Sequence, residues 1–104
     1  MREIALIVEA DEPAIFFSNV RAAAASMEAV DVDNGLYRKL FGPAGEVFEV
    51  SVIDGRAHIA LVEGSNDLSG LRRVLVSFLS AMNIDHEVDE SVSLLLEKCR
   101  PFVE

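Results

Sequence analysis

Residues 46–64, EVFEVSVIDGRAHIALVEG, restrict what this chain can fold into more than any other stretch. Two runs of alternating residues flank Asp54-Gly55, a dipeptide that accepts the positive φ angles of a two-residue type I′ turn, so the segment reads as a β-hairpin. The turn sets the register, because a slip of one residue would move every side chain to the other face. Pairing outward from Ile53 opposite Arg56 places Val52 against Ala57, Val50 against Ile59 and Phe48 against Leu61, and this apolar face is expected to meet the core. The other face receives Ile53 and Arg56, Ser51 and His58, Glu49 and Ala60, Val47 and Val62. Val47, Ile53 and Val62 make that face too apolar for water alone and too polar for a core. It is expected to be covered by the last helix or by a partner, either another protein or a second copy in a homodimer.

Upstream, IALIV at 4–8 is a short apolar run bounded by Glu3 and Glu9, the pattern of a strand covered on both faces or placed centrally in a sheet. From Asp11 the chain reads as a helix reaching about residue 29. Asp11 is its N-cap, Glu12 and Pro13 lie in its first turn, and Phe16, Val20, Ala23, Met27 and Val30 form its apolar stripe. The alanines at 22–25 favour helix and permit close approach, with packing on the chain's own sheet as the expected use and an oligomer seam as the alternative. Asn34-Gly35 closes this segment with turn chemistry. Residues 36–41 then read as a strand leading into the hairpin through Gly42-Pro43-Ala44-Gly45. A three-residue loop ending with Gly45 in the left-handed region sets Leu40 opposite Phe48; a two-residue loop on Pro43-Ala44 sets Lys39 there. The first is preferred, since it keeps Leu36 and Leu40 on the core face and pairs Lys39 with Glu49, at the cost of placing Arg38 opposite Val50.

Ser65, Asn66 or Asp67 caps the next helix, whose stripe is Leu68, Leu71, Leu75, Phe78 and Met82, widened by Val74 and Leu79. Residues 84–88 read either as a loop or as a short returning edge strand. Asp89 is expected to cap a last helix with Glu90 in its first turn, Val92, Leu95, Leu96 and Cys99 as its buried stripe, and Pro101 at its end. Phe102 and Val103 are expected to pin the tail to the core. With 104 residues of which 51% are apolar, the chain is long enough to bury one core unaided. The expected architecture is a single α+β domain over residues 1–104, in two layers. A mostly antiparallel sheet of four strands, or five with residues 84–88, carries helices packed on one face in the order β-α-β-β-β-α-(β)-α.

Eighteen acids against nine bases give a formal charge of −9. Nucleic acid is excluded as an expected partner, since phosphate binding needs clustered Lys and Arg; an anionic membrane surface is excluded for the same reason, and a basic protein would be steered toward this chain. No apolar run approaches the roughly 20 residues of a membrane-spanning helix. One cysteine and an N-terminus without the pattern of a signal peptide lead us to expect a cytoplasmic protein.

Asp85-His86-Glu87-Val88-Asp89-Glu90 gathers carboxylates and an imidazole, but its spacing matches neither a calcium loop nor a His-based zinc motif. Helix N-termini collect acids for the dipole alone. From residue 74 to 97 the chain has five acids and no base, which reads as a docking patch for a basic protein. Residues 64–70 before Arg72-Arg73 have the placement of an anion-binding turn but lack its lysine and glycine spacing, so cap and turn is the better reading. Ser51 and His58 meet across the hairpin by geometry, with no third group to make a nucleophile and base. Cys99 lies on an apolar stripe, where a thiol is inert. The function expected from these residues is a small acidic, non-catalytic protein-interaction module of the inhibitor, immunity or regulatory type, without cofactor or metal. Its binding residues would be Asp85, Glu87, Asp89 and Glu90 of the acidic loop and Val47, Ile53 and Val62 of the hairpin. The alternative is a small ligand-binding domain or enzyme with a site between sheet and terminal helix, using His58 or His86.

Overall fold

The computed structural model describes residues 3–87 and 89–104. Its first strand, β1 (Leu6–Glu9), turns back through residues 10–13 into β2 (Ala14–Phe17), with the Ala10 amide donating to the Pro13 carbonyl at 3.0 Å. Here the structure corrects the helix expected from Asp11. Asp11-Glu12-Pro13 is as good a turn as a helix start, and Ala-Ile-Phe-Phe is rich in residues that suit a pleated surface. As a strand it sends Phe16 and Phe17 to opposite faces, where each enters a different apolar cluster; in a helix they would lie only about 100° apart around the axis. Helix begins only at α1 (Val20–Ser26), where the Asn19 side chain accepts from the Ala22 amide at 3.1 Å. The backbone becomes extended at Met27, and a second short helix, α2 (Ala29–Asp33), follows. Ala23 and Met27 point inward as expected, but the break leaves Val30 exposed.

Three further strands, β3 (Leu40–Phe41), β4 (Glu46–Ile53) and β5 (Arg56–Asn66), complete a five-stranded sheet of order β2-β1-β3-β4-β5, each neighbour antiparallel. The loop into β4 takes the preferred register, with Leu40 opposite Phe48 and Gly45 at φ 89°. Residues 36–39 do not continue along β4. The Arg38 amide donates to the Glu9 carbonyl at 2.9 Å and the Glu9 amide to the Lys39 carbonyl at 2.7 Å, so this segment follows β1, and the pairings expected of Leu36, Arg38 and Lys39 with β4 do not form. The hairpin register is the expected one from Ile53–Arg56 to Phe48–Leu61, with Asp54 at φ 52° and Gly55 at φ 74° in the turn. Beyond it the ladder shifts. Glu46 pairs with Asn66, so β5 bulges over residues 62–65, with Gly64 at φ 77°, and Val47 and Val62 are not a ladder pair.

The helices lie on both faces of the sheet, giving three layers where two were expected. Leu6, Val8, Phe17 and Leu40 face α1 and α2, together with Phe48, Val50, Ala57 and Ile59 of the hairpin. Ile7, Phe16 and Phe41 face the other way, toward α3 (Leu68–Ala81) and α4 (Val92–Cys99). The reason is in β1: three consecutive residues, Leu6, Ile7 and Val8, each retain 0% exposure, and successive strand side chains cannot be buried by one layer. The α3 cap is Asp67, which accepts from the Gly70 amide at 2.9 Å. The α4 cap is Ser91, accepting from the Leu94 amide at 3.2 Å, in place of the expected Asp89. Residues 84–87 form no strand; Asn83 at φ 57° ends α3 and the Ile84 amide donates back to the Leu79 carbonyl at 2.9 Å. Val88, the last residue of that expected strand, lies outside the described residues. After α4 a 3-10 turn (Arg100–Phe102) lays Val103 parallel beside Phe16, and the Glu104 amide donates to the Phe16 carbonyl at 2.8 Å. The tail is pinned as expected. Among the described residues no helix is long and apolar enough to cross a membrane.

Candidate interaction surface

The α3–α4 layer covers its side of the sheet over β2, β1 and β3. On that side the hairpin continues without cover. Val47 and Val62 are half-buried, whereas Glu49, Ser51, Arg56, His58 and Ala60 are exposed and Ile53 retains 50% of its surface. The terminal helix therefore does not supply the cover that Val47, Ile53 and Val62 call for. The far face of the hairpin is covered by α1 and α2, except that Leu61 retains 51% exposure. β5 is the outer strand of the sheet, with β4 as its one strand neighbour.

The acidic loop is divided in its roles. Asp85, Glu87 and Asp89 are exposed, while Glu90 is bound into the structure. Its Oε1 accepts from Lys98 Nζ at 2.7 Å and from the Glu87 amide at 3.0 Å. Lys98 Nζ also donates to the Asp85 carbonyl at 3.0 Å, and the Arg72 guanidinium donates to the Glu90 carbonyl. The stretch without bases in sequence thus draws its cations from its two flanks. His86 is held by Nδ1 at 2.8 Å from the Ile84 carbonyl and Nε2 at 3.4 Å from the Ser80 hydroxyl. Among the described residues no three His, Cys, Asp or Glu side chains group to hold a metal ion.

The hydrogen bond from Lys98, with that from the Glu87 amide, holds the Glu90 carboxyl below its ordinary 4.5. A carboxyl lowered in the folded state stabilises the fold above its unfolded pKa, and the contribution disappears as pH falls through the folded value. The protection of the loop amides at 85–87, 89 and 90 against hydrogen exchange, relative to the sheet, is therefore expected to fall below about pH 4.5. Glu90→Gln should show quick loop exchange already at neutral pH; a loop equally protected in both proteins would remove this role from Glu90.

The groups that suggest chemistry do not assemble. Ser51 and His58 face one another across the hairpin, and neither makes a side-chain hydrogen bond among the described residues. Cys99 is fully buried and burial pushes its thiol up to about 12, so it is neutral and out of reach. A recess of about 480 Å³ runs beside β2 between Phe17 and Tyr37 on one side and Phe78, Met82 and Phe102 on the other. It holds neither histidine. Burial and, after it, the charges of Asp31, Glu28 and Glu12 raise the Tyr37 phenol, which keeps it protonated. No protein-family model, curated protein or solved structure matches the chain.

The backbone edge of β5 is a further part of this surface. In a two-residue hairpin the residues flanking the turn exchange both backbone hydrogen bonds, and pairs alternate from there. Arg56, His58 and Ala60 therefore bond to β4, and the amides and carbonyls of Ala57, Ile59 and Leu61 point away from it. The Asp54-Gly55 turn contains that parity, but only the sheet order makes β5 an edge.

Proposed function

We propose that this chain is a non-catalytic protein-interaction module and that the β4–β5 hairpin is its binding element. The observation that carries the reading is an outer strand with an open backbone edge beside a half-apolar face that no helix covers, centred on Ile53. Proteins recognise one another by adding a strand to such an edge, with alternate side chains supplying specificity. The engagement of Glu90 with Lys98 gives part of the acidic loop a folding role, which shifts weight from the loop to the hairpin; Asp85, Glu87 and Asp89 remain available to steer a basic partner.

The double variant Ile53→Glu with Leu61→Lys alters both faces of the hairpin at half-exposed positions. It is expected to keep its melting temperature within a few degrees and to lose about tenfold or more in affinity, some 1.4 kcal/mol. Light scattering reads self-association and co-precipitation reads another protein. Full binding by this variant, with loss on Asp85→Lys and Glu87→Lys, would transfer the function to the acidic loop.

A further inference from the structure

We propose that the recess beside β2 is a binding site for a small organic cation with an apolar body, a substituted ammonium on a hydrocarbon stem. It lies at the opposite edge of the sheet from β5 and stands independently of the hairpin. β2 is an outer strand whose Phe17 packs in the cluster with α1 and α2 and whose Phe16 packs in the cluster with α3 and α4. Past this strand the sheet ends, with the tail alongside at Phe16, and the two layers flank an open slot. Tyr37 continues one wall beyond Phe17, and Phe78, Met82 and Phe102 form the other, so both cores reach solvent along one line. Phe78 and Phe102 meet edge-on with centroids 5.1 Å apart, Met82 retains 45% exposure, and Tyr37 and Phe102 are half-buried. The volume of about 480 Å³ falls in the range of pockets that enclose small ligands.

The polar groups of the recess select the sign of the ligand. Glu12 and Glu104 line it and are exposed, and neither has an ion pair among the described residues. No described residue that lines it is Lys, Arg or His. The bases next to it in the chain are engaged elsewhere. Arg38 holds Asp11 at 3.2 Å and the Ala10 carbonyl at 2.7 Å, and Arg100 holds Glu3 at 3.0 Å and Glu97 at 2.7 Å. Burial and then the charges of Asp31, Glu28 and Glu12 raise the Tyr37 phenol, so the field at that wall is negative. Ser26 donates its hydroxyl proton to the Ala23 carbonyl at 2.8 Å, which leaves it lone pairs to offer. An anion would meet two carboxylates and no counter-charge. A cation is drawn to the carboxylates and, over a ring face, to the aromatic walls. A bare metal ion would find no converging ligands among the described residues, and the apolar walls call for a hydrocarbon stem.

Tyr37 is the only tyrosine of a chain without tryptophan, so its fluorescence reports on the recess itself. The test titrates the full chain with three probes and reads the melting temperature alongside. Hexyltrimethylammonium carries both stem and charge, hexanesulfonate keeps the stem and reverses the charge, and tetramethylammonium keeps the charge without the stem. We expect a saturable change and a raised melting temperature with the first, and affinity lower by about tenfold or more for each of the others. Glu12→Lys with Glu104→Lys should weaken hexyltrimethylammonium by about tenfold or more and turn the preference to hexanesulfonate. Glu49→Lys with Glu63→Lys makes the same change in net charge toward the other edge of the sheet, beyond a Debye length, and should leave the affinity within about twofold. All four positions are exposed, so both double variants are expected to fold. A wild-type chain with no saturable response in either readout overturns the site. Hexanesulfonate or tetramethylammonium bound as well as hexyltrimethylammonium overturns the ligand class. Equal weakening by the two double variants overturns the recess in favour of the overall charge of the chain.

Discussion

Phe16→Ala is expected to destabilise the fold by about 3–5 kcal/mol, the range for removing a large aromatic side chain from a packed core. Phe16 is 1% exposed and its ring meets Phe78 edge-on at 4.8 Å, which in turn meets Phe102 at 5.1 Å. Its backbone also receives the chain terminus, through the Glu104 amide. The ring therefore ties β2 to α3 and, through Phe78, to the tail, and its removal leaves a cavity in the cluster under α3 and α4. Against the roughly 5–15 kcal/mol of a domain this size, the loss should move the urea midpoint far down with little change in slope. A shift corresponding to under about 1 kcal/mol would mean that residues 14–17 are not the strand described.

Leu6→Ala and Ile7→Ala are each expected to cost about 2–5 kcal/mol. The two are adjacent on β1 and both fully buried, Leu6 toward α1 and α2, Ile7 toward α3 and α4. A sheet covered on one side would give one large loss and one small one. Because the two cavities lie on opposite faces, the double variant should be close to the sum of the singles. Two comparable losses in denaturant unfolding would establish both helical layers; one loss near zero would remove a layer.

The difference between what is legible in residues and what is not follows the range of the interactions. Asp54-Gly55 specifies its own turn, and with it the pairing from Ile53–Arg56 to Phe48–Leu61, because the positive φ angles and the alternation are local. Gly45 does the same for the Leu40–Phe48 register. The middle of the α3 stripe and the inner positions of α4 are legible for the same reason, since successive turns repeat the signal, and Leu71, Val74, Leu75, Phe78, Leu79, Leu95 and Cys99 are all buried, whereas Leu68 and Met82, expected at the two ends of the α3 stripe, retain 48% and 45% exposure because the helix overhangs the sheet there. Residues 14–17 carry no such repetition. Phe16 falls in step with Val20, Ala23 and Met27 as a helical stripe would, and four residues are too few to separate period 3.6 from period 2. What decides is β1, whose Ile7 and Val8 pair with Phe16 and Ile15. The candidate surface divides likewise. The half-apolar composition of Val47, Ile53 and Val62 is visible in the sequence, but whether the last helix covers them depends on where α4 docks.

By itself, then, the sequence determined the β4–β5 ladder as far as Phe48–Leu61 and the amphipathic helices α3 and α4, each through angles, alternation or periodicity that neighbouring residues enforce on one another. The tertiary structure alone decided that residues 14–17 pair as a strand, that helices lie on both faces, that residues 36–39 follow β1, and that β5 is the open edge. Those outcomes are set by which distant segment supplies a hydrogen-bonding partner or an apolar cover, and a segment's own residues do not contain that information.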